Sequence, residues 1–159
     1  MSLSRVRAAL SAIGLEDRIR EFDRSSATVR EAAEALGTEE HRIAKTLSFH
    51  QDDAVILIVM AGDAKIDNKK YKATFGKKAK MLSAEEVEPL TGHAVGGVCP
   101  FALPEGVRVY LDRSLLGMET VYPAAGTPSS AVALTLPELE RASHATGFVD
   151  VAHTDDTGR

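Results

Sequence analysis

With 159 residues, 44% apolar and 26% charged, the chain suits one globular domain with a real hydrophobic core. No apolar run reaches the length of a membrane span, and Arg5 and Arg7 break up the N-terminal segment where a signal peptide would need a sustained apolar stretch. The single cysteine, Cys99, excludes an intrachain disulfide and fits a reducing cytoplasm, while the net charge of −4 hides an uneven distribution of lysine.

The spacing of Leu3, Val6, Leu10 and Ile13 predicts a helix over roughly 4–13, closed by Gly14. Met1-Ser2-Leu3 carries no weight in this reading. Residues 17–22 fit a short strand. Thr28 is a helix N-cap with Glu31 completing a capping box, Val29, Ala32, Ala33 and Leu36 form the buried stripe, and Gly37 ends the helix. A strand over Ile43–Phe49, a Gln51-Asp52-Asp53 turn and an all-apolar strand over Ala54–Ala61 follow; the latter should lie centrally in a sheet. A basic helix over 67–75 stops at Gly76, and Ser83 with Glu86 opens a helix running to Gly92. Beyond a glycine-rich loop come strands near 107–112, 119–124 and 130–135, a helix over about 137–145 and a strand at 148–152. No repeat or linker is visible. Helices and strands mix without strict βαβ alternation, so the expected class is α+β around a mixed sheet.

Lys45 stands out within this outline. Seven of the eight lysines lie between residues 65 and 80, and Lys45 is the eighth, alone in a strand. Side chains alternate faces along a strand, so Ile43, Lys45, Leu47 and Phe49 share an apolar face. A charge there is costly unless an anion or acceptor meets it. It can guard an edge strand against mispairing, snorkel to water, or belong to a site.

The segment 64–80 carries seven lysines against one aspartate, a local basic patch on an otherwise acidic chain. Such a patch is either a solvated helix face or a surface for a polyanion such as a nucleic-acid backbone. With only Tyr71 and Phe75 as interleaved aromatics, it suits phosphate contact rather than base reading.

Residues 91–101, Thr-Gly-His-Ala-Val-Gly-Gly-Val-Cys-Pro-Phe, form an irregular loop in which glycine permits close approach of a ligand. It is neither a P-loop nor a dinucleotide fingerprint, and a purely structural turn is the alternative. A nucleophile is harder to find. The five histidines lack metal-ligand spacing; Cys99 precedes a proline in an apolar setting without an evident base, and reads as packing. Ser129 and Ser130 follow Thr127-Pro128 without a nucleophile elbow, and Asp112 reads as a cap for Ser114. No metal or cofactor is implied. Any catalysis must come from positioning and polarisation, with water or the substrate itself as the attacking group.

Thr28–Gly37, Ile43–Phe49, Gly62–Lys70 and Thr91–Phe101, extended by Asp112 and the Ala124–Gly126 turn, resemble in order the YbaK/ProX family, free-standing relatives of the prolyl-tRNA synthetase editing domain. The resemblance implies one editing domain over 1–152 with a flexible tail at 153–159. It implies hydrolysis of the ester in mischarged aminoacyl-tRNA, in trans and assisted by the free ribose hydroxyl of the terminal adenosine. Its lysine falls on Lys45 as the catalytic residue, and its loop glycine and proline fall on Gly96 and Pro100. Thr46, Gly97 and Gly126 join the expected substrate-binding set, as do Ser129 and Ser130 in the variable turn. Lys65, Lys69, Lys70, Lys72, Lys77 and Lys78 are expected to follow the tRNA acceptor stem. Mischarged tRNA for proline is the expected substrate and an aminoacyl-tRNA synthetase a further partner, with no membrane association. The variable turn, and Cys99 where the family often has serine, leave cysteinyl-, alanyl-, seryl- and threonyl-tRNA open. A non-catalytic tRNA- or synthetase-binding module and a small-nucleotide-binding protein are the competing functions.

Overall fold

The computed structural model describes residues 2–154. Helix α1 (Ser2–Ser11) buries Val6 and Leu10, and the chain turns at Gly14 with φ of 76° into strand β1 (Ile19–Glu21). Helix α2 (Val29–Leu36) carries the complete capping box of Thr28 and Glu31 and ends at left-handed Gly37. Both ends are thus satisfied by local chemistry that the sequence already spells out.

Strands β2 (Ala44–Gln51) and β3 (Ala54–Ala61) form an antiparallel hairpin closed by Asp52 and Asp53. Its register places Lys45 opposite Met60, Leu47 opposite Ile58 and Phe49 opposite Ile56. After β4 (Ala64–Ile66) and helix α3 (Asn68–Phe75), helix α4 (Ala84–Thr91) begins at the Ser83–Glu86 capping box. Strand β5 (Arg108–Asp112) pairs parallel to β3, short strands β6 (Thr120–Val121), β7 (Ser130–Val132) and β8 (Leu134–Thr135) follow, and helix α5 (Leu136–Ser143) leads to β9 (Gly147–Val149) and β10 (Ala152–Thr154). The main sheet has the order β2-β3-β5-β9, antiparallel at one edge and parallel elsewhere, so the α+β class with a mixed sheet is the observed one.

Interior β3 is buried from Ile56 to Ala61, as its unbroken apolar run requires. One face of the sheet packs Leu57, Val59 and Leu111 against Val6 and Leu10 of α1, Leu139 of α5, and Cys99 and Phe101 of the loop. The other packs Ile56, Ile58 and Met60 with Phe49 against Tyr71 of α3. Phe49, Tyr71, Phe75 and Tyr110 form a chain of ring contacts with centroids 5.2, 4.8 and 5.2 Å apart. Each large side chain buried this way contributes about 1.5–3 kcal/mol.

Three expectations change. The stretch 130–135 is two strands, because β7 pairs with β1 while β8 pairs with β6, and Ala133 lies between them. Only Thr120–Val121 of the 119–124 strand is regular, although Tyr122 and Ala124 make isolated bridges. His153 and Thr154, expected in the tail, belong to β10, which pairs antiparallel with the unexpected β4; the rest of the expected tail lies outside the described residues.

Candidate functional site

The hydrogen-bonding edge of β2 is covered at both ends but not in the middle. At its start, Ile43 bridges Tyr122, with Ala44 N–H donating to Tyr122 O at 3.1 Å and Tyr122 N–H to Arg42 O at 3.0 Å. Further on, Phe49 bridges Met81, and Leu82 N–H donates to Ser48 O at 3.1 Å. Between these bridges, at Lys45, Thr46 and Leu47, a cavity of about 340 Å³ opens. The amino end of α2 forms one wall through Ser26, Ala27, Thr28 and Val29. Gly96 and Val98 of the loop form a second, and Tyr122, Ala124, Ser130 and Ala131 a third.

Lys45 is half-buried, and its ammonium makes no hydrogen bond or salt bridge among the described residues. Burial lowers its pKa; the charge of Asp63 opposes that shift and Lys65 reinforces it. Asp63 itself is engaged by His41, whose Nδ1 lies 2.7 Å from its carboxylate. Next to Lys45, the Oγ1 of Thr46 is buried with no hydrogen-bond partner among the described residues. Buried polar atoms are rarely left so, and Thr46 is among the residues that line the cavity. Among the described residues no carboxylate lines the cavity, and the amino end of α2 adds positive potential to that of Lys45. The arrangement suits a ligand that brings acceptor oxygens.

The glycines explain how the loop comes so close. Gly96 has φ of 88°, and a Cβ there would sit 2.9 Å from Ala27 Cβ and 3.3 Å from Pro128 Cβ. A Cβ on Gly97 would lie 2.5–2.6 Å from the backbone of Thr127, so any side chain would push the two walls apart.

Of the expected catalytic and substrate-binding residues, Lys45, Thr46, Gly96 and Ser130 line the cavity. Gly97, Pro100, Gly126 and Ser129 do not. Gly97, Pro100 and Gly126 are buried behind the lining, where they shape the walls. The Ser130 hydroxyl is 2.7 Å from that of Thr127, which fixes the turn. Sequence reasoning passed over Ser26, Ala27, Val98, Tyr122 and Ala131; they carry ordinary side chains, and only their meeting in space gives them a role.

The expected lysines fall into two groups. Lys70 donates to Asp150 and to Ala152 O, both at 3.1 Å, and Lys77 is paired with Asp52. Lys69, Lys72 and Lys78 are exposed. Helix α3 covers the face of the sheet that Lys45 shares through its partner Met60, and Lys65 is near enough to lower the Lys45 pKa. The basic patch therefore begins beside the cavity.

Two polar groups have structural duties. Asp112 Oδ2 accepts from Ser114 N–H and Oδ1 from Val151 N–H, each at 2.8 Å, as expected of a cap. Cys99 is fully buried, and burial raises its thiol pKa to about 12. Contrary to expectation a base does lie nearby: His93 Nε2 is 3.5 Å from Cys99 Sγ. That nitrogen donates to Phe101 O at 2.7 Å and so cannot accept the thiol proton. Cys99 remains a packing residue.

The sequence model of the aminoacyl-tRNA editing domain matches residues 23–142. The chain belongs to this family. It is 53% identical over 152 residues to the uncharacterized protein YwhH of Bacillus subtilis (strain 168), covering 95% of this chain and 97% of that one. It is 28% identical over 116 residues to the proline–tRNA ligase of Streptococcus equi subsp. equi (strain 4047), and the match spans 72% of this chain but only 19% of the ligase. Among solved structures, a proposed trans-editing enzyme for prolyl tRNA synthetase superposes with a TM-score of 0.86 at 33% identity, over 96% of this chain and 97% of that one. The hypothetical protein APE2540 gives 0.84 at 34% identity, over 94% and 99%. The chain is thus an aminoacyl-tRNA editing domain. Among the described residues no helix is long and apolar enough to cross a membrane.

Proposed function

We propose that the protein is a trans-acting hydrolase that cleaves the ester of mischarged aminoacyl-tRNA, with mischarged tRNA for proline as its substrate. The observation that carries this reading is the half-buried ammonium of Lys45, without a hydrogen-bond or salt-bridge partner among the described residues, at the lining of the cavity. The family membership and the likeness to a proposed trans-editing enzyme for prolyl tRNA synthetase support it.

An aminoacyl ester is already activated, so the site needs to position rather than attack. Lys45 holds an oxygen of the tRNA end, either the ester carbonyl or a phosphate, in a half-buried place where its charge is felt more strongly than in water. The aminoacyl side chain sits among Ala27, Val29, Ala32 and Ala131, which admit small groups and exclude larger ones by size. The free ribose hydroxyl and a water complete the reaction, since no cavity-lining residue is a convincing base or nucleophile. Fixing their positions contributes several kcal/mol of the barrier reduction, on the order seen for well-oriented intramolecular reactions. Exposed lysines of α3 and its flanks meet the phosphates of the acceptor stem.

Purified protein incubated with a panel of mischarged tRNAs, including tRNA for proline carrying alanine, serine, threonine or cysteine, is expected to release the amino acid. Lys45→Ala should abolish release with the circular dichroism spectrum unchanged. Binding of the same tRNAs without release of any amino acid would instead identify a binding module.

A further inference from the structure

His93 is fully buried, and nothing in the proposed chemistry uses it. Its contacts, however, join three separate pieces of chain. The Nε2–H donates to Phe101 O at 2.7 Å within the loop; because a carbonyl only accepts, the hydrogen must be on Nε2. Nδ1 is then free to accept, and the hydroxyl of Ser2 at the start of α1 is its partner. Gly126, from the turn that leads into Ser130, packs over this pair: a Cβ there would come within 3.3 Å of Nδ1 and strike Ser2. The backbone is held as well, since His93 N–H donates to Thr91 Oγ1 at 3.2 Å and the Arg5 guanidinium donates to the carbonyl of Gly92.

Both glycine-bearing walls of the cavity connect to this node. Gly96 and Val98 follow His93 in the loop, while Ala124, Ser130 and Ala131 flank Gly126 in the turn. We infer that His93, in its neutral Nε2–H form, is a positioning residue that sets the gap between the two glycine-bearing walls, and that the editing site loosens when the ring takes up a proton. This rests on the proposed hydrolase reading for its activity arm only.

The surroundings oppose protonation. From α1 the facing charge is the cation Arg5; from its own loop the neighbour is the neutral Cys99 thiol; the turn at 124–127 offers no titratable side chain; and α4 turns Val87 and Thr91 inward while Glu85 and Glu88 stay exposed. Burial lowers the His93 pKa from 6.5; the bond to Phe101 O opposes that shift, and the Arg5 charge adds to it. The sign follows. The closed arrangement binds fewer protons than an open one, so its stability is fully present above about pH 6.5 and is lost as the pH falls from there.

The test compares wild type, His93→Gln and Ser2→Ala between pH 5 and 8. Gln keeps a donor for Phe101 O but cannot titrate in this range. In wild type, hydrogen-exchange protection of the amides at 94–98, corrected for intrinsic exchange, should fall about tenfold per pH unit below the transition, in step with loss of deacylation. His93→Gln should flatten that acid limb in both measurements, and Ser2→Ala should loosen 94–98 at every pH. An acid limb unchanged in His93→Gln overturns the proposal. Should that variant fail to fold, imidazole nitrogen shifts of wild type decide: the Nε2–H tautomer persisting below pH 6.5 supports the node, and an ordinary titration overturns it. If no mischarged tRNA is hydrolysed at any pH, the hydrolase reading fails, and the exchange and tautomer measurements still decide the positioning role.

Discussion

Two polar corners of this molecule are built from the same kinds of group and finished differently. At the end of β5, Asp112 spends both carboxylate oxygens on backbone N–H groups, and Ser114 Oγ accepts from Ala61 N–H at 3.0 Å. At the open edge of β2, neither the Lys45 ammonium nor Thr46 Oγ1 has a hydrogen-bond or salt-bridge partner among the described residues. A folded chain normally satisfies its buried polar groups, so the first corner belongs to stability, and the second is where the proposed function puts its ligand. The lesson is that a polar group's accounts with its neighbours discriminate better than its identity does.

That contrast can be broken at several points. Lys45→Met should have the largest effect, a loss of deacylation of about a hundredfold or more, of the size seen on removing one preorganised electrostatic group. The same change should leave Tm equal or raise it by roughly 2–4 °C, because a desolvated ammonium is replaced by an apolar stem of similar length. A fall in Tm would show that Lys45 is structural. Asp112→Ala should cost about 3 kcal/mol, or roughly 6–12 °C in Tm, by stranding two buried N–H groups. Activity per folded molecule should hold; a disproportionate loss would move Asp112 into the site.

Gly97→Ala, forced against the Thr127 backbone, should impair turnover and substrate affinity together, measured as kcat and KM. Thr46→Val should raise KM severalfold while leaving thermal stability unchanged or slightly higher, since the hydroxyl it removes is unsatisfied in the free protein. A clear loss of stability there would mean that the hydroxyl has a protein partner after all. The smallest effects belong to the patch. Lys69→Glu or Lys72→Glu should weaken tRNA binding and flatten its salt dependence more than Lys77→Glu, because Lys77 is already paired with Asp52.

Much of the fold could be read directly. The boxes at Thr28–Glu31 and Ser83–Glu86 form as expected, and the all-apolar strand runs over Ala54–Ala61. These are decided within a few residues of chain, where capping chemistry and side-chain period act. Strand β4 escaped notice because Ala64-Lys65-Ile66 is too short for a pattern, and it exists only because β10 pairs with it. His93 and Ser2 are 91 positions apart, and no local signal links them.

On its own, the sequence determined the helices, their caps, the apolar strands, the isolation of Lys45 and the glycines that let the loop bend, since each depends on neighbours along the chain. The tertiary structure alone decided that residues near 26–32, 43–47, 96–98 and 122–131 enclose one cavity, and that Pro100, Gly126 and Ser129 stand outside its lining. The physical reason is that a cavity is what packing leaves unfilled. Its boundary is set by long-range strand pairing at the two ends of β2, and no local preference records where that pairing stops.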